Sequence, residues 1–164
     1  MYKRIIIFGA PGSGKSTLAK DLSKKLNLPH FNLDSLVYLK GWTSKHSDNQ
    51  IKESMNIIVN KDKWILEGFH RKIDSWILPV LDKSDFVIIL NLNKKALFKR
   101  NLKRSAENPF GMYGLVYTGG LILRAFDYKS KKFNKDIKLV KTNHKSYIVL
   151  NSPLEVEEFI NKLS

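Results

Sequence analysis

The stretch Gly9-Ala10-Pro11-Gly12-Ser13-Gly14-Lys15-Ser16 constrains this chain more than any other, because it reads G-x-x-x-x-G-K-[ST]. The spacing has a physical reason. Glycines let backbone N–H groups turn inward on a phosphate chain with no Cβ in the way. The helix expected to follow presents unpaired N–H groups and the positive end of its dipole. Lys15 reaches the outer phosphates, and the Ser16 hydroxyl is placed for Mg2+. The flanks agree: Lys3 to Phe8 is a β-branched and aromatic run that reads as a buried strand. Ser16 to Leu26 then sets Leu18, Ala19, Leu22 and Leu26 on one helix face. Gly9, Ala10, Pro11, Gly12, Ser13, Gly14, Lys15, Ser16 and Thr17 are therefore expected to bind a nucleoside triphosphate, ATP, with Mg2+. The competing reading is a plain glycine-rich turn.

The rest of the chain alternates strands with helices. Further strands are expected at His30 to Leu33 (ending at Asp34), Trp64 to Leu66 (closed by Glu67-Gly68), Phe86 to Leu90 and Tyr147 to Leu150. Helices are expected at Ile51 to Asn60, Ile73 to Leu81 with Pro79 as an interruption, Lys94 to Ser105 and Pro153 to Leu163, and the lysine-rich run from Tyr128 to Asn143 also reads as helix. In the helix at 94–105, Ala96, Leu97 and Leu102 are expected to face inward. Residues 41–50 read as a polar loop and 107–111 as a turn. The apolar run 112–126 is weakened as a helix by Gly114, Gly119 and Gly120. Strands that are continuously apolar have both faces covered, which predicts a three-layer α/β domain on a five-stranded parallel sheet. At 164 residues a single domain over 1–164 is expected.

Several classes are excluded or disfavoured. No apolar run reaches the roughly 18 residues of a membrane span. The apolar N-terminal run meets Gly9 too early to read as an export signal. The absence of cysteine removes disulfides, thiol catalysis and thiolate metal sites, and fits a cytoplasmic location. The four histidines, His30, His46, His70 and His144, are scattered and form no metal constellation. No Asn-Lys-x-Asp guanine-reading pattern occurs, which argues against a GTPase, and the length leaves no room for the added modules of most motor ATPases.

Charge is the one unusual compositional quantity. The net charge is +14, and residues 94–145 hold fourteen Lys+Arg against three Asp+Glu, net +11. Such a tract attracts polyanions. It reads as a solvated lysine-rich face, as a phosphate-binding lid over about 104–128, or as a nucleic-acid face. It carries no helix-turn-helix pattern and few aromatics, Tyr128 and Phe133 among them.

Two further stretches carry a family resemblance. Trp64-Ile65-Leu66-Glu67-Gly68-Phe69-His70-Arg71 resembles the strand-ending Asp-Gly-Phe-Pro-Arg of the adenylate-kinase family, with Glu67 for Asp and His70 for Pro. Leu97-Phe98-Lys99-Arg100-Asn101-Leu102-Lys103-Arg104 resembles that family's pair of arginines at i and i+4, which puts both guanidiniums on one helix face. The resemblance implies a P-loop nucleoside- or nucleotide-kinase-like fold with a short helical lid. It also implies that Glu67, with Ser16, helps to hold Mg2+, that Arg71 grips an acceptor phosphate, and that Arg100 and Arg104 act catalytically with Lys15. The alternatives are a surface or capping acid for Glu67, a surface ion pair for Arg71, and an exposed decorated helix for the arginine pair. Arg124 is a weaker third arginine. The whole chain is most similar to the branch named DNA topology modulation (FlaR-type) proteins. That likeness rests on Leu33-Asp34-Ser35-Leu36 followed by Trp42, on Trp64 to Gly68, on Arg100 and Arg104, and on Tyr147-Ile148-Val149-Leu150-Asn151-Ser152 before the last helix.

The acceptor is read two ways. Leu33-Asp34-Ser35-Leu36-Val37-Tyr38 resembles the strand end of nucleoside and small-metabolite kinases, where a carboxylate takes the attacking hydroxyl's proton. Asp34 thus points to a nucleoside or alcohol, whereas Arg71 points to a phosphate. Asp34 also reads as a helix cap, and Trp42 as an acceptor-pocket wall or a loop anchor. The expected activity is phosphoryl transfer from ATP to a small molecule. The alternative is an ATP-dependent, nucleic-acid-associated regulator.

Overall fold

A computed structural model describes residues 2–37, 46–68, 78–106, 119–120, 122–123, 125–127, 133–143 and 146–163, except for the side chains at 104–106 and 136. The strands are β1 Arg4–Gly9, β2 His30–Asn32, β3 Trp64–Glu67, β4 Phe86–Leu90 and β5 Tyr147–Leu150. The helices are α1 Lys15–Leu26, α2 Leu33–Val37, α3 Asp48–Val59, α4 Leu78–Lys83, α5 Lys94–Ala106, α6 Phe133–Asn143 and α7 Pro153–Lys162. The strands form one parallel sheet in the order β2-β3-β1-β4-β5.

The sheet buries both faces, as the apolar runs predict. On one side, Ile6, Phe8, Trp64, Leu66, Val87 and Ile89 pack with Val37, Met55, Val80 and Val140 from α2, α3, α4 and α6. On the other, Ile5, Ile7, Ile65, Ile88 and Leu90 pack with Leu18 and Leu22 of α1 and with Val156 and Phe159 of α7. Successive side chains along a strand alternate sides, so two apolar layers require every strand position to be apolar. The result is the expected three-layer α/β fold. Among the described residues no helix is long and apolar enough to cross a membrane.

Local chemistry moves some boundaries. Strand β2 ends at Asn32 rather than at Leu33, because the Asn32 side chain starts α2 by accepting from the Asp34 N–H at 2.7 Å. Asp34 therefore lies within the first turn of α2, and Asn32 takes the capping role that Asp34 was one candidate for. Helix α3 starts at Asp48, three residues before the apolar pattern, because Ser47 and Gln50 form a reciprocal capping box. In α5 the inward face is Leu97 and Asn101, each 1% exposed, while Leu102 is 49% exposed. Leu102 was expected inward on hydrophobicity alone. The inner face of α5 meets backbone carbonyls of the glycine-rich loop, and an amide suits them better than an alkyl chain. Residues 41–45, 107–118, 128–132 and most of the predicted lid lie outside the described residues, as do Trp42, His70, Arg71, Arg124 and His144.

Candidate active site

The parallel order places the C-terminal ends of β1, β3 and β2 side by side, and the loop after β1 lies among them. Such a sheet edge is where ligands of α/β folds bind. The loop is tight. Gly12 and Gly14 have φ of +79° and +94°, which glycine adopts at little strain. A Cβ on Gly12 would also lie 2.6–2.8 Å from the Asn101 side chain. The Ser13 N–H donates to the Ala10 carbonyl at 3.1 Å, and Lys15 Nζ donates to the same oxygen at 3.1 Å. Lys15 is thus 9% exposed and folded back over its own loop. Gly14 stands at the N-cap of α1 with no side-chain hydrogen bond to that end, and the first turn has no acid. The first N–H groups of α1 and the charge of Lys15 therefore face the same small volume, an arrangement suited to phosphate oxygens.

Glu67 ends β3, opposite Ile7 of β1. It is 2% exposed, so it is no surface acid. Its Oε1 accepts from the Ser16 hydroxyl at 2.8 Å and from Asn32 Nδ2 at 2.7 Å, and His30 Nε2 lies 3.7 Å away. A hydroxyl beside a buried carboxylate is an all-oxygen donor pair. Mg2+ prefers such a pair and usually completes its shell with water and substrate phosphates. Ser16 and Glu67 therefore fit the ion.

Helix α5 approaches the loop from the other flank. Arg100 Nη1 donates to the Ser13 carbonyl at 3.0 Å. Asn101 Nδ2 donates to the Pro11 carbonyl at 3.2 Å and to the Leu97 carbonyl at 3.0 Å. Arg100 is thus more than a decoration on an exposed helix. Arg104 lies on α5 one turn further on, with its side chain outside the description, and Thr17 is exposed at the start of α1. Lys99 and Lys103 are exposed, as expected. Asp34 is half-buried in α2, next to Asn32. The described geometry thus brings Lys15, Ser16, Glu67 and Arg100 together around one loop.

Asn32 and Asn101 were not singled out in the sequence. Neither belongs to a recognisable motif, and each acquires its role by reaching 35 or 90 residues along the chain. The only local hint at Asn101 was a polar residue at i+4 from the buried Leu97.

Known proteins are similar to this chain in sequence and in fold. The family model described as an AAA domain matches residues 5–110. The adenylate kinase of Wigglesworthia glossinidia brevipalpis is 33% identical over 124 residues, covering 66% of this chain and 59% of that protein. The GTP:AMP phosphotransferase of Plasmodium falciparum is 32% identical over 129 residues, covering 64% and 56%. The adenylate kinase of Ruminiclostridium cellulolyticum is 27% identical over 140 residues, covering 70% and 65%. This chain thus spans about three-fifths of the length of these relatives. In fold, it is similar to the shikimate kinase from Acinetobacter baumannii solved in complex with shikimate, with TM-score 0.63, 13% identity and coverage of 98% and 90%. It is also similar to the shikimate kinase from Bacteroides thetaiotaomicron, with TM-score 0.59, 16% identity and coverage of 99% and 97%. With the matched model spanning the loop, β3 and α5, the chain belongs to the AAA-domain family of P-loop proteins, and it is related in sequence to adenylate kinases.

Proposed function

We propose that this protein is an ATP-dependent, adenylate-kinase-like phosphotransferase that moves a phosphoryl group to a nucleotide, nucleoside or similar small molecule. The observation that carries the reading is Arg100, which reaches the loop from α5. A guanidinium at that place is suited to the charge that spreads over a transferring phosphoryl group. The relatives named adenylate kinase and GTP:AMP phosphotransferase support the same chemistry.

The roles follow from position. The loop N–H groups and Lys15 bind the triphosphate, and Lys15 gives up its contact with Ala10 to do so. Ser16 and Glu67 would hold Mg2+, which offsets phosphate charge and orients the outer phosphates. The acceptor oxygen forms its bond to the γ-phosphorus as the bond to the bridging oxygen breaks, and ADP leaves. For a hydroxyl acceptor the released proton goes to Asp34. For a phosphate acceptor, already a nucleophile, Arg71 would do the holding. Arg100 and Arg104 neutralise the transferring group and help to keep water out. The basic tract at 94–145 and the name of the branch the chain resembles motivate a nucleic-acid reading, and no geometry among the described residues favours it.

The test is ATP labelled at the γ-phosphate, offered with a panel of nucleoside monophosphates, nucleosides and small alcohols. Label on at least one acceptor is expected. Intact ATP binding with slow phosphate release that no acceptor changes would replace this reading with that of a slow ATPase.

A further inference from the structure

Asn32 has both ends of its side-chain amide engaged. Its Nδ2 donates to Glu67 Oε1 at 2.7 Å. Its Oδ1 accepts from the Asp34 N–H at 2.7 Å and lies 3.4 Å from the Ser35 N–H. Its backbone carbonyl accepts from the Ser35 hydroxyl at 2.7 Å, which closes the same turn a second way. The amide cannot be turned over, since that would aim the oxygen at a carboxylate and the NH2 at two N–H donors. One residue therefore ties the buried carboxylate beside Ser16 to the start of the helix that carries Asp34.

The residue type matters. Aspartate would cap α2 but present no donor to Glu67. Serine would also cap α2, but it is too short to reach Glu67. Alanine does neither. The carboxylate gains from the link because Glu67 is 2% exposed and its Oε1 is shared with Ser16, and a buried carboxylate is held in one orientation by its donors. A partner one step removed from a metal ligand sets that ligand's orientation. We propose that Asn32 is a positioning residue: it holds Glu67 in the orientation that takes Mg2+ with ATP and at the same time fixes the helix presenting Asp34 to the acceptor. Metal side and acceptor side then share one side chain, so loss of order on one side loosens the other.

The inference rests on the proposed reaction for its meaning, but its first two tests require no phosphoryl transfer. The Mg2+ concentration that half-saturates ATP-induced thermal stabilisation is measured for wild type, Asn32→Ser and Asn32→Ala. Asn32→Ser, which keeps the cap, is expected to raise it about tenfold. An unchanged midpoint overturns the proposal and leaves Asn32 a helix cap. Should Asn32→Ser not fold, the native Asn32 is tested from the other side, by hydrogen exchange at the Asp34 and Ser35 amides in Glu67→Ala. Faster exchange than in wild type is expected, and unchanged exchange overturns the link. Where an acceptor is found, Asn32→Ala should also raise its KM, while Asn32→Ser should not; a KM unmoved by Asn32→Ala removes the acceptor half of the proposal. A protein that shows the Mg2+ and exchange effects yet labels no acceptor contradicts the phosphotransferase reading and leaves the role of Asn32 standing.

Discussion

Lys15 shows how much of this site is electrostatic. Its ammonium donates to the Ala10 carbonyl and is buried beside the first turn of α1. Removing one preorganised charge from a transferring phosphoryl group lowers turnover by about 10²–10³-fold. Lys15→Ala should do so in a kcat measurement at saturating ATP, and a loss of only a few-fold would place the lysine outside the reaction. Asp85 illustrates a charge with a purely structural task at the opposite end of the sheet. Its Oδ1 takes Arg4 Nη2 at 2.8 Å and its Oδ2 takes the Lys3 and Arg4 N–H groups, each at 2.9 Å. Burial, the largest single influence, raises the Asp85 pKa. The Arg4 side-chain hydrogen bond, the two backbone N–H groups and the Arg4 charge together outweigh it, and the carboxyl titrates below 3.8. A lowered folded-state pKa adds stability that is fully present above about pH 4 and is lost as the pH falls through the folded value. Asp85→Asn should therefore flatten the acid limb of a melting-temperature profile below about pH 4 and leave ATP affinity alone. A profile that keeps its acid limb would assign the acid sensitivity to other carboxylates.

At the scale of elements, α5 is the structure's least obvious feature. Its inner face clamps the loop through Arg100 on Ser13 and Asn101 on Pro11, so the helix after β4 also shapes the glycine-rich loop. Asn101→Asp keeps the shape but turns a donor into an acceptor against two carbonyls. A buried polar group left facing like groups costs about 1–3 kcal/mol, and chemical denaturation should show a loss of that size together with weaker ATP binding. An unaffected variant would mean that the helix and loop merely touch. This feature was not legible in the sequence. The glycine-rich loop, β1 and α1 were, because their determinants are contiguous and each spacing has one meaning. The sheet was legible too, from the continuous apolar runs of β1, β3, β4 and β5. Glu67 was recognisable as a strand-end acid, but its bond to Ser16 depends on the register of β3 against β1, which no local pattern encodes. Leu102 misled because hydrophobicity ranks residues for burial in an apolar core, whereas α5 faces a small apolar cluster at Leu97 and loop carbonyls at Arg100 and Asn101.

The described candidate residues gather at the C-terminal end of the sheet. The order β2-β3-β1-β4-β5 brings Asn32, Glu67 and the loop after β1 into adjacency, and α5 after β4 closes the flank. The net charge of +14 is less informative than its distribution. The site draws on Lys15 and on Arg100, which is exposed like Lys94, Lys95, Lys99 and Lys103 of α5 but donates to the Ser13 carbonyl. The candidate acceptor residues divide between a phosphate, which Arg71 would hold, and a hydroxyl, whose proton Asp34 would take. The most direct measurement is transfer of label from γ-labelled ATP to separate pools of nucleoside monophosphates and of neutral hydroxyl compounds, with Mg2+ present. Label is predicted in one pool, in wild type and not in Lys15→Ala. Label released only as inorganic phosphate, at a rate that neither pool alters, would contradict the account.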